Sequence, residues 1–452
     1  MWRSSTAVQS LRAKQFSNEV WKEIVRPYYL KWLYFPLFSA RPEHFANCWN
    51  YPDADLTGPA NRPAQASAPA VVFLPMCDWH TRAQRSQHMA QTFAEIGHRC
   101  LYLNPHLGRE FRQPYPFSPK FALRQLQDRV VEAHVHLWRE PVFHYRCLRE
   151  TESRRVADVL SEALDKMGAS RQVYIVSLPI WGDVARLLRR QYDSMIIYDC
   201  HDLIEGFGSY ADSIVEAEAA LMQDADLILF SSRWLAARVL ERFPCLKHRS
   251  ELVPNAADLN HFPLCAPRFP AADNPHPVTV GYAGALNVWL DVDALDFAAR
   301  QKPEWRFELV GRVESDRVRR LEARPNVRFL GERSYDDLPK LFQNWDVAGI
   351  PFLINDLTKA TNPIKLYEYL AAGLPVATSA LPEVEPFSHL VYRYETPAEF
   401  VGAIHAALRE DPALRRRRRE AVQQETWRAR CLLLESQFDQ RWAKAGAPRT
   451  VG

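Results

Sequence analysis

The 452-residue chain contains no apolar run approaching the roughly 20 residues that cross a bilayer, and its N-terminus lacks the short apolar core of a secretory signal. The eight cysteines are scattered and form no C-x-x-C pair, which argues against a zinc ribbon or disulfide framework and for a reducing compartment. Cytoplasmic residence is the expectation, with the inner face of the plasma membrane as a further option. Glycine is scarce at 16 residues, and no G-x-G-x-x-G opens a helix, which argues against a nicotinamide oxidoreductase. A net charge of only +3 calls for no nucleic-acid partner.

What is present is a long chain of ordinary globular composition, beyond the size at which single cores stop growing. Residues 1–69 form an N-terminal extension ending in a Pro-, Ala- and Asp-rich linker. Short apolar runs then read as buried parallel strands at 71–75, 100–104, 173–177, 195–199 and 226–232. The Pro-rich stretch Pro263–Pro277 can continue neither helix nor ladder and marks a boundary. A second strand series follows at 278–284, 306–311, 326–331, 346–352 and 375–379. Strands alternating with helical patterns predict an α/β protein of two tandem Rossmann-like, doubly wound parallel-sheet domains, 70–265 and 278–410, with a ligand cleft between them. An amphipathic segment within 411–452, with Trp427, Leu432, Leu433, Phe438 and Trp442 as candidate buried positions, is expected to cross back to the first domain.

The stretch Thr358–Val376, TKATNPIKLYEYLAAGLPV, reads as loop, short helix and strand, with Pro363 near the helix start and Gly373 at its stop. Loop amides and the helix N-terminus there suit a diphosphate. Lys365 adds positive charge, and Glu368 on the same helix face can accept hydrogen bonds from two ribose hydroxyls. On these residues alone a second reading stands beside it: a surface helix pair worth about 0.2–0.5 kcal/mol.

GYAGALNVWLD (281–291), WRFELVG (305–311), NVRFLGERSYDDLP (326–339), DVAGIPF (346–352) and NPIKLYEYLAAGLPV (362–376) resemble, in order and spacing, the C-terminal domain of group 1 retaining glycosyltransferases. The resemblance is nearest to the teichuronic-acid and surface-polysaccharide transferases, and it implies the two-domain GT-B fold. It also implies that Glu368 is the second glutamate of the family's Glu-x7-Glu motif, the one that holds the ribose. The first glutamate is replaced by Ala360, so backbone from Thr361 and Asn362 is expected to substitute. The turn Gly284–Asn287 lacks the family's Arg and Lys, which leaves Lys365 or Arg312 to supply charge beside Gly284. In MIIYDCHDLIEGFG (195–208) the resemblance carries the family's pair near the donor sugar onto His201 and Asp202, the expected catalytic residues. In LPMCDWHTRAQRSQHMA (74–90) it puts Asp78, Arg82 and Arg85 on the acceptor side, whereas Arg85, Gln87 and His88 read alternatively as the polar face of a helix. VPNAAD (253–258) is read as a structural turn.

Three D-x-D pairs, Asp53/Asp55, Asp224/Asp226 and Asp291/Asp293, lie in a linker, a helix-to-strand junction and a helix N-cap, so no metal site and no cofactor is expected. The implied reaction is metal-independent, retaining transfer from a nucleotide-sugar co-substrate to a glycan, lipid-linked or other hydroxyl acceptor in cell-surface glycoconjugate synthesis. Two alternatives are a nucleotide-sugar 2-epimerase of the same fold and a catalytically silent binding or scaffold protein, the latter motivated by Ala360. The aromatic and basic segment Val20–Pro42 suits an anionic membrane interface, but Pro27 and Pro36 interrupt it and favour packing on the first domain. The run Arg415–Arg419 reads as a solvated helix face or a site for anionic lipid.

Overall fold

The computed structural model describes residues 43–266 and 277–446, apart from Ala66, Pro116, Val142, His144 and Ser209, together with 20–21, 25–30 and 33. Residues 267–276 of the expected boundary, and Lys22, Lys31, Trp32, Tyr34 and Phe35 of the aromatic segment, lie outside that range. The chain divides into two compact units, 1–199 with 207–228, and 200–206 with 229–452.

Among the described residues, the first sheet has the order β3-β4-β2-β1-β5-β6-β7-β8. Its strands are β1 (Ala70–Leu74), β2 (Cys100–Leu103), β3 (Phe121–Gln127), β4 (Val130–Val135), β5 (Arg171–Val176), β6 (Asp193–Cys200), β7 (Leu227–Phe230) and β8 (Ser250–Leu252). β1 is buried along its whole length and pairs in parallel with β2 and β5, as a continuous apolar run requires. The sequence pattern did not reveal β3 and β4. They pair antiparallel through a tight turn in which Arg129 takes φ +62°, and β4 then pairs in parallel with β2. The longer helices of this half are α1 (Arg85–Glu95), α2 (Glu150–Met167), α3 (Gly182–Arg189), α4 (Asp212–Asp224) and α5 (Arg233–Arg242). Ser232 caps α5 by accepting from the Leu235 amide, and Gly168 ends α2 at φ +64°.

The second sheet has the order β11-β10-β9-β12-β13-β14, and every pairing in it is parallel. Its strands are β9 (Thr279–Ala283), β10 (Arg306–Val310), β11 (Val327–Gly331), β12 (Val347–Ile350), β13 (Val376–Ser379) and β14 (Tyr392–Tyr394). The longer helices are α6 (Val292–Gln301), α7 (Ile364–Ala371), α8 (Pro397–Ala407), α9 (Leu414–Ala421) and α10 (Trp427–Gly446). α7 packs on β12 and β13, α8 on β13 and β14, and one apolar core joins these elements.

Residues 229–265, assigned by sequence to the first domain, cluster with the second unit. The Ser232 hydroxyl donates to the Ala360 carbonyl at 2.7 Å and the Asn255 amide to Asn362 Oδ1 at 2.9 Å, ties that no hydrophobic period announces. α10, expected to return to the first domain, also belongs to this unit, where Arg430 donates to the Pro254 carbonyl at 3.1 Å. Its buried positions are Trp427, Cys431, Leu434, Phe438 and Trp442, spaced by three or four, whereas Leu432 and Leu433 are exposed.

The D-x-D acids have structural partners. Asp53 pairs with Arg124, Asp224 with Arg186, Asp226 with Arg189 and Asp293 with Arg317 and Arg320, while Asp291 caps α6.

Candidate functional site

The loop ahead of α7 is built by the short helix Asp356–Ala360, closed by a capping box between Asn355 and Thr358. Pro363 precedes α7 with extended backbone, so the helix starts abruptly at Ile364. Glu368 lies on its buried side at 1% exposure, and Oε2 accepts from Lys365 Nζ at 2.8 Å. Oε1 of the same carboxylate is buried and has no hydrogen-bond partner among the described residues. Burial pushes the Glu368 carboxyl above the usual range, and the Lys365 ammonium opposes that shift. His261 acts in the same direction as Lys365, and its ring stacks on Tyr335 with centroids 4.0 Å apart.

The far end of α7 is clamped. Arg419 Nη1 donates to the Ala371 carbonyl at 2.7 Å and Nη2 to that of Leu259 at 2.7 Å. Arg418 is fully buried, donates to the Leu390 carbonyl at 2.8 Å and pairs with Glu410, while Arg415 donates to the carbonyl of Ala266 at 3.1 Å. Only Arg416 and Arg417 of the run are exposed. The reading of Arg415–Arg419 as a solvated or lipid-facing stripe is therefore corrected: positions 415, 418 and 419 share the inward face of α9, and the orphan carbonyls at the end of α7 and in the preceding connection accept from it.

The other expected donor residues fall out differently. The Thr361 hydroxyl donates to the Leu357 carbonyl at 2.9 Å. Asn362 is buried, its amide group donating to Tyr367 Oη and Glu383 Oε2 at 3.2 Å each, so its side chain braces the loop. Gly284 follows β9, and its carbonyl lies where a Cβ on Gly311 would stand only 1.9 Å away, with Gly311 at φ +140°. Arg312 is half exposed and pairs with Glu314 at 3.1 Å. His201 and Asp202 leave the C-terminal end of β6, with His201 Nε2 3.6 Å from Asp202 Oδ2 and the His201 carbonyl accepting from the Ser231 hydroxyl at 2.9 Å.

In the first unit, Asp78 sits in the loop after β1, with Oδ1 accepting from the His80 amide at 2.8 Å and Oδ2 from the Thr81 hydroxyl at 3.1 Å. His106 Nε2, in the loop after β2, is 3.1 Å from the same Oδ2. Burial would raise the Asp78 carboxyl, but the His106 bond and charge hold it down to about 2. Behind it lies a buried chain: His80 Nε2 is 2.7 Å and His134 Nε2 3.0 Å from Glu132 Oε2, and His134 Nδ1 is 3.1 Å from Glu110 Oε1. Burial opposes the imidazolium of His134, yet Glu132 and Glu110 push its pKa up to about 9. Arg85, expected on the acceptor side, is buried with Nε 2.9 Å and 3.1 Å from the two Asp199 oxygens. Gln87 and His88 are buried too, which corrects the alternative of a polar helix face; Gln87 donates to the carbonyls of Asp78 and Arg82 at 2.8 Å each. Arg82 is partly exposed in that loop.

Residues 277–410 match the family model described as glycosyl transferases group 1. The matched segment lies in the second unit. The chain is also 27% identical over 252 residues to the putative teichuronic acid biosynthesis glycosyltransferase TuaH of Bacillus subtilis (strain 168), covering 51% of this chain and 64% of that protein. Among solved structures, the sucrose-phosphate synthase of Thermosynechococcus elongatus is similar with a TM-score of 0.64 and 18% identity, over 83% of this chain and 100% of that one. Anabaena HepE, solved in complex with UDP and glucose, is similar with a TM-score of 0.57 and 15% identity, over 83% of this chain and 100% of that one. These likenesses establish the GT-B fold of two parallel-sheet α/β domains.

Within the segment that matches the family model, Glu368 and Lys365 are brought together, whereas Ala360 at the first motif position is buried with its carbonyl held by Ser232. Sequence reasoning missed His261, Tyr335 and Arg419 around α7, and Glu132 and His134 in the first unit. A signal for the last two was available: VVEAHV sets two charged residues on one face of an otherwise apolar strand.

Proposed function

We propose that the chain is a glycosyltransferase whose second unit binds a nucleotide-sugar donor and which passes the sugar to a glycan or lipid-linked hydroxyl in the synthesis of a surface polysaccharide. The observation that carries this reading is the Glu368 carboxylate, held through Oε2 by Lys365 and keeping Oε1 buried, without a partner among the described residues, at the face of α7. A buried acceptor without a donor costs on the order of 1–3 kcal/mol, and ribose hydroxyls would satisfy it. The start of α7 and the loop 358–362 then face the diphosphate, with Lys365 adding charge where the leaving group develops it.

In the proposed reaction the bond from the anomeric carbon to the β-phosphate oxygen breaks as a bond to the acceptor oxygen forms. The acceptor proton passes to the departing phosphate, with retention of configuration, and the protein's own cations and amides stabilise the charge without a metal ion. His201 and Asp202 serve the sugar end, since Ala360 offers no carboxylate there. Asp78 and Arg82 serve the acceptor end. A thermal-shift panel of UDP-, GDP- and TDP-sugars tests this: stabilisation by one nucleotide class, abolished in Glu368→Ala, supports the reading, and no stabilisation by any nucleotide overturns it.

A further inference from the structure

Glu383 is a buried acid that the reaction proposed above does not use. It lies in the short helical turn Pro382–Phe387 that follows β13 and is only 2% exposed. Its two oxygens face different elements of the second unit. Oε1 accepts from the Arg233 amide, the first of α5, at 2.7 Å, and Oε2 accepts from Asn362 Nδ2, in the loop ahead of α7, at 3.2 Å. The exposed Arg233 guanidinium stays 3.9 Å away, so the hydrogen bonds to this carboxylate come from the backbone of α5 and from the loop.

Capping α5 does not by itself account for a buried carboxylate. Ser232 already caps that helix by accepting from the Leu235 amide, and burying an ionised group is costly unless it is fully hydrogen-bonded. The remaining oxygen goes to Asn362. That side chain is itself buried and is fixed at its other end, where Oδ1 accepts from the Asn255 amide at 2.9 Å, while the Asn362 carbonyl accepts from Asn255 Nδ2 at 2.6 Å. The Ser232 hydroxyl donates to the Ala360 carbonyl at 2.7 Å. The loop 358–362 is thus held at Ala360 and at Asn362 by side chains from outside it. Groups that stabilise a diphosphate act only if they are in place beforehand, and a misplacement of about 1 Å can cost on the order of 100-fold.

We propose that Glu383 is a positioning residue for the donor diphosphate: without touching the ligand, it fixes Asn362 and through it the loop 358–362. This rests on the donor reading of that loop and of α7. Glu383→Gln keeps the volume, but an amide has one acceptor oxygen, so whichever way it turns, its NH2 group meets a donor at the Arg233 amide or at Asn362. The test is calorimetric titration of the full-length wild-type chain, Glu383→Gln, Asn362→Ala and the double variant with UDP, GDP and TDP and the corresponding monophosphates. With the nucleotide that wild type binds, Glu383→Gln should bind the diphosphate about tenfold more weakly and the monophosphate within about twofold of wild type, since the ribose contact of Glu368 does not pass through Asn362. Asn362→Ala should lose the same discrimination, and the double variant should be no worse than Asn362→Ala alone, because the two groups act through one hydrogen bond. A fold defect alone would lower the melting temperature and leave the ratio of diphosphate to monophosphate affinity unchanged. An unchanged ratio in Glu383→Gln, or in Asn362→Ala should the first variant fail to fold, overturns the proposal and leaves the donor reading standing. Losses that multiply in the double variant overturn it as well. Absence of binding of every diphosphate to wild type removes both.

Discussion

Lys365 Nζ stands 2.8 Å from Glu368 Oε2, so one ammonium partly neutralises a carboxylate whose other oxygen is buried without a partner among the described residues. Since burial raises the Glu368 carboxyl and Lys365 lowers it, nucleotide binding should weaken on acidification at a pH above the ordinary carboxylate value of 4.5. Removing the ammonium in Lys365→Met should move that acidic limb to still higher pH. Calorimetric titration of a bound nucleotide across pH would show it; a limb that stays in place in Lys365→Met would separate the two residues.

The His134 chain should give the first unit a bounded pH range. The folded pKa of His134, pushed up to about 9, lies above the ordinary imidazole value of 6.5, so its contribution is full below 6.5 and lost as pH rises through about 9. Glu132 and Glu110 are held below their ordinary value of 4.5 by the same histidine, against their burial, so their contribution is present above 4.5 and lost on acidification. Thermal melting followed against pH should therefore fall on both sides of a maximum, and His134→Gln should flatten the alkaline side. An unchanged alkaline slope in that variant would count against the network.

The arginine run should divide by face. Arg418 is fully buried against Glu410, and Arg418→Met should cost several kcal/mol, roughly the 3–5 kcal/mol of breaking a buried pair. Arg416→Ala and Arg417→Ala, on the exposed face, should stay within about 0.5 kcal/mol. Arg419→Ala should loosen the end of α7 and raise the KM for donor more than it lowers kcat. Denaturant unfolding of the four variants, with kinetics for Arg419→Ala, measures the contrast.

Gly311→Ala is expected to be among the most damaging small substitutions. The added Cβ would lie 1.9 Å from the Gly284 carbonyl oxygen at φ +140°, and the two residues follow the neighbouring strands β9 and β10. The loss should exceed about 1 kcal/mol by chemical denaturation, whereas Gly402→Ala, where the added atom meets nothing within 4 Å, should be tolerated.

The apolar strands were legible because a strand buried on both faces writes itself as an unbroken run, as Val71–Leu74 does. β3 and β4 were not, because β3 is partly exposed along its length and Glu132 and His134 interrupt β4 with charges that only their mutual pairing makes tolerable inside. The α7 pair was legible from spacing, since i and i+3 share a helix face. Its surroundings were not: Arg419 and His261 reach Ala371 and Tyr335 across about 50 and 75 residues of chain, and hydrogen bonds to carbonyls leave no period in a sequence. Asn362 shows the converse. The sequence places it in the loop ahead of α7, where burial turns its amide inward onto Tyr367 and Glu383.

The most direct test of the proposed donor site is calorimetric binding of the stabilising nucleotide-sugar to wild-type, Glu368→Ala and Lys365→Ala proteins, with donor turnover measured on the same samples. Each variant should bind at least about tenfold more weakly, as expected for loss of a charge-assisted hydrogen bond worth roughly 1.5–3 kcal/mol. Affinity and turnover equal to wild type in both variants would contradict the assignment of this helix face to the donor.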